Sequence, residues 1–127
     1  MPTQSINLDW SAGNDSIPKK ITVTADSEAN YELAVADEST DLAANVAIDF
    51  SAVKLLYIVS DQDLTIETND GSSPDDTLTL VANKPLVWFE DCGYTNPLSA
   101  DVTAVYLTNA SGTDATLNIK VLQDATP

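Results

Sequence analysis

The residues best suited to chemistry in this chain are carboxylates that occur in short groups. Glu90 and Asp91 stand beside Trp88 and Tyr94. Glycosidases and sugar-binding sites have a similar composition, because two carboxylates flank a bond and aromatic rings stack on sugars. However, successive residues at the end of a strand point to opposite faces, so Glu90 and Asp91 are poorly placed to act on one bond. Sugar binding remains an alternative, and glycoside hydrolysis is not expected.

A second set of carboxylates lies in Asp61-Gln62-Asp63 and Asp75-Asp76. Carboxylate oxygens are the ligands that Ca²⁺ prefers, and it takes six to eight of them. Neither segment matches a complete calcium-binding loop, which needs alternating acidic residues, a central glycine and a distal glutamate. Acidic residues are also common in turns. We therefore interpret both segments as turns and predict no metal and no cofactor, with calcium binding as the alternative.

The nucleophiles and bases of common enzymes are scarce. The chain has no histidine and a single cysteine, Cys92, so neither a Ser-His-Asp nor a Cys-His site can be built from it alone. No histidine or arginine stands beside Cys92 to activate it, and we interpret it as a plain thiol. Asn14 and Asn109 each begin a glycosylation sequon, which matters only in a secreted protein. We predict a protein with no catalytic residues, not an enzyme.

The composition further restricts the class of protein and the partners that it can have. The 127 residues include 20 acidic residues and 5 lysines, for a formal charge of −15. Such a surface repels nucleic-acid backbones, so we expect no nucleic-acid partner. The apolar content of 43% argues against disorder and fits one domain. Neither a signal peptide nor a membrane-spanning apolar run is recognisable, which predicts folding in the cytoplasm and no membrane partner.

The stretch Val53–Thr68 organises the predicted fold. Val53, Leu55, Tyr57 and Val59 fall on one face of a strand, and Leu56 and Ile58 on the other, so the strand is apolar on both sides. After Asp61-Gln62 a second run alternates, with Leu64 and Ile66 inward and Thr65, Glu67 and Thr68 outward. We predict a central β-hairpin whose first strand lies inside a sheet. Its second apolar face is covered either within the chain or by another subunit.

Shorter alternating runs occupy the rest of the chain. Residues 19–25 and 31–36 are predicted to form one hairpin, and residues 102–108 and 115–122 another. With three further short strands at 46–50, 77–81 and 85–89, the total is eight or nine. The pattern indicates an all-β fold, an antiparallel β-sandwich that is jelly-roll-like. The predicted organisation is an N-terminal arm (1–17), a β-sandwich domain (18–122) and a C-terminal tail (123–127).

The candidate contact residues lie mainly in one excursion, from Trp88 to Pro97. Long loops that carry aromatic residues and proline are suited to partner contacts. The alternative is that this loop packs its aromatic residues on its own sandwich. The N-terminal arm is the second candidate, because an arm can reach a neighbouring subunit. The predicted partner-contact residues are Trp10, Trp88, Phe89, Tyr94 and Pro97.

Residues 53–122 resemble the small β-sandwich decoration (cement) proteins of tailed bacteriophage capsids. The resemblance rests on KLLYIVSDQDLTIET, LTLVANKPLVW and VYLTNASGTDATLNIKVL. It implies a non-enzymatic virion structural protein, made in the host cytoplasm, that binds the major capsid protein on the capsid surface as a homotrimer. No functional residue is carried over, because these segments have the pattern of β-hairpins and contain no residue-level functional motif to match. The alternative function is a carbohydrate- or receptor-binding module of a phage tail or other virion part.

Overall fold

The computed structural model describes residues 3–12 and 15–124, with side chains for Ser5 and from residue 22 onward. These residues form ten β-strands and one short 3-10 turn. No helix in this part of the chain is long and apolar enough to cross a membrane. The strands are β1 (Thr3–Ala12), β2 (Asp15–Thr24), β3 (Ser27–Val35), β4 (Leu42–Ala44), β5 (Val53–Ser60), β6 (Leu64–Thr68), β7 (Thr77–Leu80), β8 (Leu86–Phe89), β9 (Val105–Thr108) and β10 (Ala115–Gln123), and the 3-10 turn is Phe50–Ala52.

Two antiparallel four-stranded sheets pack face to face. The first sheet has the order β3-β10-β5-β8, and the second has the order β4-β9-β6-β7. Alternating side chains of both sheets fill the space between them, as in other sandwiches. The predicted all-β, antiparallel sandwich is confirmed.

The predicted central hairpin is wrong, because β5 and β6 belong to different sheets. Residues 61–63 form a corner between the layers. The Asp61 carboxylate accepts a hydrogen bond from the Thr116 amide at 2.8 Å, and the Asp61 amide donates to the Thr116 carbonyl at 3.3 Å. These bonds hold the end of β5 beside β10, while Leu64 begins the ladder of the other sheet. β5 is nevertheless an interior strand, between β10 and β8, as predicted.

The other two predicted hairpins are also wrong. β9 lies in the second sheet and β10 in the first, whereas β2 pairs with β1 and β3 pairs with β10. In each case a turn-forming segment connects two apolar runs, which is equally compatible with a hairpin and with a crossing between layers. Sequence alternation identifies a strand, but it carries no information about the neighbour to which its backbone bonds.

The N-terminal segment is more regular than predicted. β1 and β2 form a two-stranded antiparallel ribbon, in which Thr3 is opposite Thr24 and Ala12 opposite Asp15. The predicted boundary at residue 17 between the arm and the sandwich domain therefore falls inside β2. The other boundary also shifts by a residue, since β10 includes Gln123.

The main core lies between the two sheets. Leu56, Ile58, Leu117 and Ile119 of the first sheet belong to the same buried cluster as Ile66 of the second. A smaller cluster lies on the outer face of the first sheet, where Ala25, Leu55 and Leu122 are buried and Val23, Tyr57 and Phe89 pack against them. The second apolar face of β5 is thus covered in part by its own chain.

Two residues lie on the face opposite to that predicted. Val53 joins the main core instead of the Leu55 side, because the pairing with β10 shifts at Gln123 and leaves Lys54 as an extra residue. Such a bulge reverses the alternation of faces. Thr68 is buried and not outward, and its hydroxyl accepts a hydrogen bond from the Asp76 amide at 2.9 Å.

Candidate functional site

The candidate contact surface begins at β8, an edge strand of the first sheet. β8 pairs with β5, and within the described part of the chain no strand adjoins its other edge. Trp88 and Phe89 point to opposite faces: Trp88 packs against the main core and Phe89 against the smaller outer cluster. Both side chains are half-buried. Two of the predicted contact residues therefore have substantial packing roles in their own sandwich.

The loop after β8 is held by bonds from Trp88 and by a tight turn. The Trp88 indole Nε1 donates to the Tyr94 carbonyl at 2.8 Å, and the Cys92 amide donates to the Phe89 carbonyl at 3.1 Å. Gly93 has a φ of +90°, a conformation that residues with a Cβ rarely adopt. The bond from Trp88 fixes the backbone of Tyr94, whose side chain is 82% exposed. Tyr94 is the aromatic residue that this loop presents to solvent.

The end of the loop returns to the body of the sandwich. Pro97 is half-buried and Leu98 is buried, while Asn96 Oδ1 accepts a hydrogen bond from the Leu98 amide at 2.9 Å. Pro97 therefore belongs to the anchored part of the loop. Trp10 falls in β1, and its side chain lies outside the described residues.

Glu90 is engaged by a lysine. Lys54 Nζ lies 2.9 Å from Glu90 Oε1 and 3.8 Å from Asp124 Oδ2. The hydrogen bond with Glu90 is the main reason that the pKa of Lys54 is raised. The adjacent Asp91 has a φ of +66°, within the turn. Glu90 thus ties the start of the loop to β5.

Sequence reasoning missed part of the apolar surface beside this loop. Tyr57, Val59 and Val87 are half-buried and share the outer face of the first sheet; we call them the outer strip. The double apolar pattern of Val53–Ser60 did indicate a second contact face. Val87 was not identified, because its position opposite Tyr57 depends on the pairing of β8 with β5.

The carboxylates of the acidic turns accept hydrogen bonds from backbone amides and, in one case, from the side chain of an asparagine. Asp61 Oδ1 accepts from the Thr116 amide at 2.8 Å, Asp63 Oδ1 from the Ala82 amide at 2.9 Å, and Asp76 Oδ2 from the Ser99 amide at 2.8 Å. Asp75 Oδ2 accepts from Asn69 Nδ2 at 2.6 Å. Among residues 3–12 and 15–124, the side chains that are described include no group of three or more acidic or cysteine residues arranged to hold a metal ion.

Two carboxyl groups of one acidic cluster have pKa values shifted in opposite directions. Glu67 on β6 is close to Asp41 and Asp70, and its pKa is raised, first by a hydrogen bond with Asp41, then by burial and by the two neighbouring charges. Asp70 has the opposite behaviour: its pKa is lowered, because its carboxylate accepts from the amides of Ser72 and Ser73. Ionised Asp70 therefore adds to the repulsion that Glu67 experiences.

Replacing Glu67 with glutamine is expected to stabilise the protein modestly at pH 7. The folded state retains a proton on Glu67 above the ordinary pKa of 4.5, so its stabilising effect is full below pH 4.5 and is lost as pH rises through the higher folded pKa. An amide donates to Asp41 at every pH. Thermal unfolding at pH 7 and at about pH 3.5, below the ordinary pKa of 4.5, should show a gain for Glu67→Gln at pH 7 that disappears at the lower pH. Glu32→Gln, on the other sheet, controls for the loss of one negative charge, and an equal gain there would contradict the assignment.

No protein-family model matches the chain, and no curated protein matches it. One solved structure, from work on Bacillus endospore appendages that form a novel family of disulfide-linked pili, is similar over 78% of this chain and 90% of that one, with 10% identity and a TM-score of 0.35.

Proposed function

We propose that this chain is a non-enzymatic virion structural protein, a decoration protein that binds the major capsid protein on the surface of a phage capsid and stabilises the assembled shell. The observation that carries the proposal is the surface formed by the edge of β8, with which no described strand pairs, and by the loop that presents Tyr94, which is 82% exposed. An exposed strand edge can pair with a strand of another protein, and an exposed tyrosine provides a large apolar contact with one polar group.

The internal bonds of the loop support this role. Trp88 bonds to the carbonyl of Tyr94, and the ion pair of Lys54 with Glu90 fixes the start of the loop to β5. A loop that is ordered before binding loses less conformational entropy when it binds. The resemblance of residues 53–122 to capsid decoration proteins is the second support, and it adds the expectation of a homotrimer.

The charge distribution is compatible with the same role. A formal charge of −15 opposes the aggregation of free copies. Contact with a shell then depends on uncharged elements such as the β8 edge and Tyr94, and it is not driven by general electrostatic attraction. The density of negative charge would favour a shell whose outer surface is less acidic than the chain.

The purified chain should sediment with expanded capsids of its own phage from which the chain has been stripped. We expect saturable binding at a fixed number of copies per capsomer and a higher melting temperature of the shell. Tyr94→Ser should weaken binding by about tenfold or more, as is typical for a central aromatic contact. Shell melting can be followed by calorimetry.

Val81→Ser is the matched control, because Val81 is also an exposed apolar residue, 55% accessible, but follows β7 of the second sheet. Its binding should equal that of the unmodified chain. Absence of the chain from the capsid pellet at micromolar concentration would overturn the proposal. Retention on immobilised glycans in place of capsids, lost in Tyr94→Ser, would identify a carbohydrate-binding module instead.

A further inference from the structure

The outermost strands of the two packed sheets differ in how they are protected from pairing with another chain. β3 contains Glu28 and Glu32, β7 contains Thr77 and Thr79, and β4 has only three residues. Charged side chains and short length discourage pairing at an edge. β8 (Leu86–Phe89) is apolar at every position, and each of its residues is half-buried. β8 is therefore the edge best suited to accept another strand.

The ladder between β5 and β8 shows which backbone groups face outward. Directly after β8, the Glu90 amide donates to the Lys54 carbonyl at 2.8 Å. Successive residues of an antiparallel strand direct their backbone groups alternately to its two sides. The groups of Trp88 therefore also face β5, whereas those of Val87 and Phe89 point to the other side. Within the described part of the chain, no strand pairs with β8 on that side.

The donors and acceptors at the two ends of this edge are complementary to each other. The Phe89 carbonyl already accepts a hydrogen bond from the Cys92 amide at 3.1 Å, so the Phe89 amide is the group left for a partner. Pro85, directly before β8, has no amide and offers only a carbonyl. The same alternation directs that carbonyl to the open side. An antiparallel strand of the same sequence thus matches the one remaining donor with the one remaining acceptor.

The charges beside β8 fit the same register. An arrangement that pairs Val87 with Val87 of another copy is two-fold symmetric, and it places Phe89 opposite Pro85. One residue further out, it places Glu90 opposite Lys84, and both side chains are exposed. The symmetry forms this ion pair twice. The formal charge of −15 opposes association, but at physiological salt charges more than about 8 Å apart are largely screened, so the groups at the edge dominate.

We propose that β8 pairs antiparallel with β8 of a second copy of this chain, across a two-fold axis at Val87. The first sheets of the two copies then form one continuous sheet. The two Val87 residues exchange backbone hydrogen bonds, and each Phe89 amide donates to the Pro85 carbonyl of the other copy. Because Val87 belongs to the outer strip, the outer strips of the two copies become neighbours.

The pair is a state of the free protein and requires only this chain. The homotrimer expected from the resemblance belongs to the capsid-bound chain. A capsid and a second copy would compete for the β8 edge, and this consequence alone rests on the proposed function.

The first test is the solution mass of the full chain, measured by light scattering from about 1 µM to about 1 mM. We expect a reversible dimer. Val87→Pro removes the outward amide and leaves the bonds to β5 in place, so it should weaken the dimer by about tenfold or more. Val87→Thr keeps the amide and the branched shape, and it is the matched control that should still form the dimer. An unmodified chain that stays monomeric at every concentration would overturn the proposal, as would equal dimers in the two variants.

The second test examines the register through its charges. Lys84→Glu and Glu90→Lys each set like charges opposite each other at both ends of the pair, so each variant alone should dimerise about tenfold more weakly. In an equimolar mixture of the two variants, opposite charges are restored at both ends. We expect the mixture to form dimers at concentrations where each variant alone is monomeric. Circular dichroism on each variant confirms that the sandwich is folded.

Lys120→Glu and Glu32→Lys are the matched controls, because they make the same charge changes on β10 and β3, away from the β8 edge. Each should dimerise as the unmodified chain does, with no further gain on mixing. A mixture of Lys84→Glu and Glu90→Lys that stays monomeric would overturn the proposed register, and so would an equal gain in the control mixture. No capsid is present in either test, so failure of the pair leaves capsid binding unaffected.

Discussion

Replacing Ile119 with alanine should lower the free energy of unfolding by about 2–5 kcal/mol, the usual range for an isoleucine truncated in a packed core. Ile119 is 2% exposed and lies on β10, where it is opposite Tyr31 of β3 and Ile58 of β5. It belongs to the cluster between the sheets, so its removal leaves a cavity that rigid strands on both sides cannot close. Domains of this size are stable by roughly 5–15 kcal/mol, and the loss is a large fraction of that.

Urea denaturation followed by tryptophan fluorescence measures this loss. The control is Lys120→Ala, the next residue of the same strand, which is exposed on the outer face. Because it opens no cavity, its effect should stay within about 0.5 kcal/mol. Equal losses for the two variants would contradict the assignment of Ile119 to the inter-sheet core.

The second large effect is expected at Asn109, which is fully buried and bonded through its whole amide. Its Nδ2 donates to the carbonyls of Val35 at 3.0 Å and Thr113 at 2.8 Å. Its Oδ1 accepts from the amide of Ser111 at 3.0 Å and from the Ser111 hydroxyl at 2.7 Å. One side chain thus connects the end of β3 to the turn that leads into β10.

Asn109→Ala should cost about 2–4 kcal/mol, because a buried carbonyl that loses its donor costs about 1–3 kcal/mol and the turn loses three further bonds. Calorimetric unfolding of the variant measures the change. Ser111→Ala is the control: it removes the hydroxyl and its own exposed bonds with Thr113, and it leaves the bonds from Asn109 Nδ2 to the Val35 and Thr113 carbonyls, so a smaller loss of about 1 kcal/mol is expected. If Asn109→Ala were no more harmful than this control, the amide would not be the centre of the turn. The same burial closes the sequon at Asn109 to glycosylation in the folded chain.

Several features of the contact surface were predictable from residue types, but their exposure was not. Trp88, Phe89, Tyr94 and Pro97 are all candidates by composition. Trp88 has a ring that packs on the core and an indole donor that the Tyr94 carbonyl satisfies, so it holds the loop, and Tyr94 is the residue that solvent reaches. Which aromatic side chain is buried depends on the surfaces that the fold brings against it, and these come from distant parts of the chain.

The sequence by itself determined the strands and the class of fold. Alternation in Leu64–Ile66 and Leu117–Val121 identified which side chains enter the core, because the period of a strand is a local property of the backbone. The tertiary structure decided which strands are neighbours. Backbone donors and acceptors are the same in every strand, so pairing is selected by the packing of both faces and by distant bonds such as that between Asp61 and Thr116. For this reason two predicted hairpins became crossings between the two packed sheets, and the third became the connection from the ribbon to the first sheet. Strand β1 of the ribbon lies in the predicted arm.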